Sequence, residues 1–248
     1  MAQPEPVLVI ADLHIPYHDK RAVKLMLKAA ADLKPKYILI NGDFLDCYSV
    51  SSHSKDPRRS LKLRQEVDTA LEVLDRIDDL GAKHKIFIGG NHCDRLERYL
   101  QDKAPELFDF IDIPGILELK KRNWAYVPYK HDAKIGKLWF THDVGVAGRN
   151  AMFKALDTYQ HSIITGHTHR LNYVVEGNAT GEVKLSAQFG WLGDAKSVDY
   201  MQRQTVLKNW ALGFGVGYLE PSTGNVYMTP VPIFGGYSCC VNGRIYRG

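Results

Sequence analysis

Ten histidines occur in this chain of 248 residues, and several stand beside Asp, Asn and Gly in short polar punctuation. Asp12-Leu13-His14, Asn41-Gly42-Asp43, Gly90-Asn91-His92, a lone His142 and Gly166-His167-Thr168-His169 are the groups whose types could do chemistry. Singly, each has a bland explanation. Asp12 and His14 read as a turn, Asp43 as a helix cap, Asn91 as a Gly-Asn turn residue and His142 as a half-buried ring. The His-Thr-His pair is stronger alone, because imidazoles at i and i+2 of an extended chain point the same way. Together the groups offer two carboxylates, one amide oxygen and four imidazoles. Hard oxygen with borderline nitrogen, and no thiolate, suits Mn²⁺, Fe or Zn²⁺. Seven ligands are too many for one catalytic cation that keeps an open position. They suit two ions sharing a carboxylate, about 3.5–4 Å apart.

Every one of these groups follows an apolar run. Residues 7–11, 37–40 and 85–88 read as buried strands, and the runs at 137–141 and 162–165 lead into His142 and Gly166. Between the first three strands, helical spacing predicts helices over 19–33 and 60–79, with Asp19 as an N-cap. Further helices are expected at 94–101, 114–121 and 149–158. The polar stretch 47–59 reads as a long loop. From 124–128 onward strands dominate, at 173–176, 183–188, 214–220, 226–231 and 237–246. A βαβαβα order implies parallel strands covered by helices, and loops at the carboxyl ends of such strands build sites. A bland reading must therefore explain five placements at once.

The composition is that of a soluble globular protein, 45% hydrophobic and 24% charged, with a formal charge of +4. That mild excess does not by itself argue for nucleic acid. No apolar run approaches the length of a membrane span, and the start lacks the pattern of a secretory leader. Four cysteines show no CxxC spacing, so reduced thiols in a cytoplasm are expected, bacterial or that of a host if phage-encoded. With no repeat and no linker, one domain over 1–248 is expected. Its motifs lie within 7–169, and the strand-rich part 170–248 is expected to complete a second sheet.

The order Asp-x-His, Gly-Asp-x-x-Asp, Gly-Asn-His, a strand-end His and Gly-His-x-His resembles the calcineurin-like metallophosphoesterase superfamily, in particular its small bacterial and phage phosphoesterases. The resemblance implies a four-layer α/β/β/α sandwich of two mixed sheets. It implies one ion held by Asp12, His14, Asp43 and His169, and a second by Asp43, Asn91, His142 and His167. His92 would be the general acid, oriented by Asp46. The implied cofactor is a pair of divalent ions, Mn²⁺ first, with Fe, Zn²⁺, Ni²⁺ or Co²⁺ as alternatives. The chemistry is hydrolysis by in-line attack of a hydroxide bridging the ions, with proton help to the leaving oxygen worth about 10²–10⁴. Cys47 stands where the protein serine/threonine phosphatases carry Arg, and Cys93-Asp94-Arg95 follows His92, so protein phosphatase activity is not expected.

Lys55, Arg58, Arg59, Lys62 and Arg64 cluster after the Asp43 loop. Such a run is ordinarily a solvated face. Its functional reading is a cationic lip, which with Arg95 would bind phosphates of a DNA or RNA substrate. Trp191, Trp210 and Phe189 could stack bases, although packing explains them more simply. The leading expectation is a binuclear phosphodiesterase acting on nucleic acid or nucleotides. A phosphomonoesterase and a non-catalytic scaffold on the same fold are the alternatives.

Overall fold

The computed structural model describes residues 3–53, 56, 62–197 and 209–248. Lys55, Arg58 and Arg59 of the basic run lie outside them, as does the expected start of the second helix at 60–61. The elements are β1 (Glu5–Ile10), α1 (Lys20–Leu33), β2 (Tyr37–Asn41), α2 (Leu63–Asp78), β3 (His84–Ile88), α3 (Asp94–Lys103), α4 (Ile113–Ile116), β4 (Trp124–Val127), β5 (Ala133–Ile135) and β6 (Leu138–Thr141). They continue as α5 (Ala151–Tyr159), β7 (Ile163–Thr165), β8 (Leu171–Gly177), β9 (Val183–Phe189), β10 (Gly213–Leu219), β11 (Val226–Pro232), β12 (Ser238–Val241) and β13 (Arg244–Arg247).

The strands β1, β2, β3 and β4 run parallel, and their runs are apolar on both sides because both faces are covered. Leu8, Ile10, Ile38 and Ile40 pack toward the helices, whereas Val7, Val9 and Leu39 pack toward the second sheet. The first sheet has the order β11-β10-β1-β2-β3-β4 and the second β5-β6-β7-β9-β8. With α5 against β7 and β9 on the far side, the layers are α/β/β/α. Asp19 caps α1 by accepting the Arg21 and Ala22 N–H groups at 3.0 Å each. Leu25 and Met26 of that helix are fully buried, each worth about 1.5–3 kcal/mol of burial.

The carboxy-terminal strands depart from the sequence expectation. Only β8 and β9 join the second sheet; β10 pairs antiparallel onto β1 and β11 onto β10, extending the first. Glycines make that placement possible. A Cβ on Gly215 would stand 2.3 Å from the buried Phe189 ring, so this strand can lie under β9 only without a side chain there. The strand expected over 237–246 is the separate hairpin β12–β13, turned at Asn242 and Gly243 with both φ positive. The helix expected over 114–121 is one turn, capped by Asp112 and followed by Glu118 in the left-handed region. No helix among the described residues is long and apolar enough to cross a membrane.

Glu66 on α2 is fully buried beneath the turn that follows Asp46, and its Oε1 faces the Ser49 N–H at 3.4 Å. Burial and the Asp46 charge push its carboxyl up to about 7, against the pull of the Ser49, Cys47 and Tyr48 N–H groups. A folded-state value above the ordinary 4.5 means the fold binds a proton that the unfolded chain has released. Stability is therefore greatest below about 4.5 as far as this group is concerned, and its contribution is lost as pH rises toward 7. Glu66→Gln should flatten that fall. Melting temperatures across this window test it: a parallel decline in both proteins would show that Glu66 is not the group.

Candidate metal centre

The loops after β1 and β2 continue as a short parallel ladder. Asp12 N–H donates to Gly42 O at 3.2 Å, His14 N–H to Asp43 O at 2.9 Å and Ile15 N–H to Phe44 O at 2.9 Å. Those rungs set Asp12 and His14 beside Asp43. Asp12, His14, Asp43, His167 and His169 all have positive φ, between 44° and 65°. Asp and His tolerate this region better than most residues, but it still costs of the order of 1–2 kcal/mol at each position. Strain concentrated at the strand ends turns these side chains into one space.

Two clusters result. In the first, His14 Nε2 lies 2.9 Å from His169 Nε2, and His169 Nε2 lies 3.4 Å from Asp12 Oδ1. In the second, Asn91 Oδ1 lies 3.0 Å from His142 Nε2 and 2.8 Å from His167 Nδ1. Asp43 joins them, its Oδ2 standing 3.1 Å from His142 Nε2 and 4.0 Å from His14 Nε2. All the sequence-predicted ligand candidates are thus brought together. Asp12, His14, Asp43 and Asn91 come from the loops after β1, β2 and β3, and His142, His167 and His169 from those after β6 and β7. The fit is close. A Cβ on Gly90 would stand 2.3 Å from the Asp43 N atom, and one on Gly42 2.0 Å from His142 Nδ1.

The hydrogen bonds fix which ring nitrogens are available. His142 Nδ1 lies 2.9 Å from Asn41 O and His14 Nδ1 lies 3.2 Å from Asp46 Oδ2, and both partners only accept. A hydrogen therefore sits on each Nδ1, and Nε2 is the nitrogen that each ring presents to the clusters. His142 Nε2 consequently faces two acceptor oxygens, a contact that only a proton or a cation reconciles. Burial pulls the ring down, but the Asp43 charge and hydrogen bond carry it up to about 10. His169 moves the other way, held by burial to about 4. Asp43 is held well below the usual carboxylate range; burial opposes this, and the nearby rings of His142, His92 and His14 outweigh it. Four imidazoles, two carboxylates and an amide oxygen, with no thiolate in either cluster, fit divalent cations.

His92 stands at the edge of the first cluster. Its Nδ1 lies 3.1 Å from Asp46 Oδ2, the same oxygen that holds His14, and its backbone N–H donates to Asp43 Oδ1 at 2.8 Å. Arg95 Nη1 donates to Asp46 O and Oδ1 at 3.0 Å each, while Nη2 lies 3.2 Å from His92 Nε2. Arg95 is thus engaged with Asp46 and is not a free cation over the site. Of the basic run, Arg64 is exposed and pairs with Asp68, and Lys62 precedes α2 as its cap. Trp191 and Phe189 are buried. Trp191 stacks on His169 with centroids 4.7 Å apart, and Trp210 meets the same ring edge-on at 3.9 Å. The two indoles also meet each other with centroids 4.8 Å apart, so the three rings form one triangular cluster. Sequence reasoning missed this cluster, because nothing local to Trp191 or Trp210 signals it. It also missed Asn41, whose carbonyl holds His142, and Tyr129, which donates to Asp143 at 2.7 Å beside that ring.

Residues 5–194 match the family model described as calcineurin-like phosphoesterase. The Gene 54 proteins of mycobacterium phages D29 and L5 are each 26% identical to the chain, covering 97% of it and 98% of their own length. The solved structure of vacuolar protein sorting 29 from Cryptosporidium parvum is 17% identical, with a TM-score of 0.50 over 98% of this chain and 95% of that one. That likeness is one of fold. Because the family match takes in every strand-end group of the two clusters and most of the length, the chain belongs to the calcineurin-like phosphoesterases, a family of metal-dependent hydrolases.

Proposed function

We propose that the chain is a two-metal phosphodiesterase whose substrate is nucleic acid or a nucleotide diester. The observation that carries the reading is the position of Asp43, whose Oδ2 faces a ring nitrogen of each cluster. Asp12, His14, Asp43 and His169 would hold one ion, and Asp43, Asn91, His142 and His167 the other, with Mn²⁺ as the favoured metal. Bound together, such ions supply a nucleophile from water at neutral pH and neutralise charge on the phosphate oxygens. The rest falls to the side chains. His14 and His142 are locked by Asp46 and the Asn41 carbonyl so that each presents Nε2.

His92 would protonate the departing oxygen. Burial, helped by the neighbouring His14, holds the ring below its ordinary value against the Asp43 charge and against Asp46, which holds its Nδ1 hydrogen. Arg95 Nη2 can only donate, so it and a proton on His92 Nε2 cannot face each other. The ring becomes an acid as that edge of the guanidinium turns to a phosphate oxygen, Nη1 remaining on Asp46. A diester carries one negative charge and a monoester close to two, and a guanidinium already engaged by a carboxylate supports the diester. The basic run that includes Lys55, Arg58 and Arg59 supports a polynucleotide.

Asp43→Ala should lower metal content at both positions and cut turnover at least roughly a hundredfold, whereas His169→Ala should mainly cost one ion. Metal analysis of the purified variants checks this; two ions retained by Asp43→Ala with more than a tenth of the activity removes the bridging role.

His92→Asn should keep both ions. Its loss should approach ~10²–10⁴ on substrates with an alkyl or nucleoside leaving group and be small with p-nitrophenolate, which leaves without a proton. Equal losses on both would assign His92 to phosphate positioning.

The substrate class is tested with Mn²⁺ and a panel of bis-p-nitrophenyl phosphate, p-nitrophenyl phosphate, a cyclic nucleotide, DNA and RNA. Replacing Arg58 and Arg59 by Ala should raise KM for the polynucleotide and flatten its salt dependence, the slope falling by roughly 0.7–0.9 for each phosphate no longer engaged. The small aryl diester should be unaffected. An unchanged salt slope sinks the polynucleotide reading, and faster turnover of the monoester than of any diester sinks the diesterase reading.

A further inference from the structure

Among the described residues the two main sheets end in four edge strands, β4 and β11 on the first and β5 and β8 on the second. An edge presents free N–H and C=O groups to any other chain, and proteins blunt it with proline, lysine or brevity. Three of these edges are blunted. β11 carries Pro230 and Pro232, β5 has three residues with Lys134 at its centre, and β4 has four and stops at Pro128. β8 is different. Its seven residues, Leu-Asn-Tyr-Val-Val-Glu-Gly, contain no proline, lysine or arginine, and among the described residues it pairs only with β9.

The inner face of β8 is also left partly open beyond Leu171. Tyr173 lies opposite Ala187 and Val175 opposite Leu185, and Ala187 belongs to the core between the sheets. Yet Tyr173 is 44% and Val175 50% exposed. Val183 at 65% and Tyr227 at 59% join them around a groove of about 820 Å³. One exposed apolar side chain is ordinary; four around one groove beside an open edge mark an interaction surface.

We propose that β8 is a dimerisation strand, pairing antiparallel with β8 of a second copy about a twofold axis at Val174. The strand is self-complementary in that register. Tyr173 of one copy meets Val175 of the other, and Asn172 meets Glu176, so apolar faces apolar and an amide donor faces a carboxylate. An axis one residue further on would set Val174 against Glu176. One residue earlier it would set Asn172 against Val174. The pairing joins two five-stranded sheets into one continuous sheet and brings the exposed tyrosine and valine rows together.

Light scattering on a sizing column, over roughly a hundredfold range of concentration, reads the association directly. Wild-type protein should approach twice 28.0 kDa at the upper end. Val175→Lys and Tyr173→Glu should each keep the far-ultraviolet circular dichroism and melting transition of the wild type, since both sites are exposed in one copy. Each should weaken the dimer about tenfold or more. Mixing the two variants should restore it: the introduced ammonium then faces the introduced carboxylate, and the second pair remains Tyr173 with Val175. A wild-type monomer at every concentration overturns the proposal. So does a dimer indifferent to both substitutions, or no recovery on mixing.

Discussion

Asp43 Oδ2 stands between a ring nitrogen reached from the end of β1 and one reached from the end of β6. That single carboxylate couples groups carried by different sheets, and the rest of the site is arranged around the cost of burying it. A buried carboxylate without partners is severely penalised. Here Oδ1 accepts the His92 N–H, Oδ2 faces His142, and Gly90 yields the space a side chain would take. Asp12 is treated in the same way, with both its oxygens within 3.1 Å of the His167 N–H. The site is therefore also the place where the two sheets are tied together. His142 Nδ1 reaches the Asn41 carbonyl of the first sheet, and Leu192 N–H reaches Asp12 O.

Left-handed backbone at Asp12, His14, Asp43, His167 and His169 would not persist on isolated loops. It persists because neighbours over-determine it. The rungs from Asp12, His14 and Ile15 to the Gly42–Phe44 segment hold two strained loops against each other, and Gly166 N–H on His142 O holds a third. The energy spent on the backbone is recovered as placement: an extended chain would point His167 and His169 the same way, whereas with φ positive at both they reach different clusters.

The strand-end groups are legible in the sequence because each is local. An apolar run followed by Asp-x-His or Gly-Asn-His shows both the strand and the residue it delivers, and helix α1 is legible from its cap and spacing. Legibility fails where the deciding partner is distant. Nothing near Gly215 announces that Phe189 will lie over it, so the attachment of β10 to β1 is hidden. Trp191 and Trp210 read as packing residues, and only the fold gathers them with His169 into one cluster. The Asn242-Gly243 turn is a different case. Its signal is local, but the strand-like residues on both sides of it mask the break.

Asp46 shows how a supporting residue can tie two roles into one. Its Oδ2 holds the Nδ1 hydrogens of both His14 and His92, whose rings meet edge to face with centroids 4.4 Å apart. Its Oδ1 and carbonyl are held in turn by Arg95 from α3. A shift of that carboxylate would turn a ring of the first cluster and the candidate acid together. Positive charge on His14, whether from a proton or lent by a cation beyond its Nε2, strengthens its claim on the shared oxygen and weakens that of His92. The two rings are thereby coupled through one oxygen atom of Asp46.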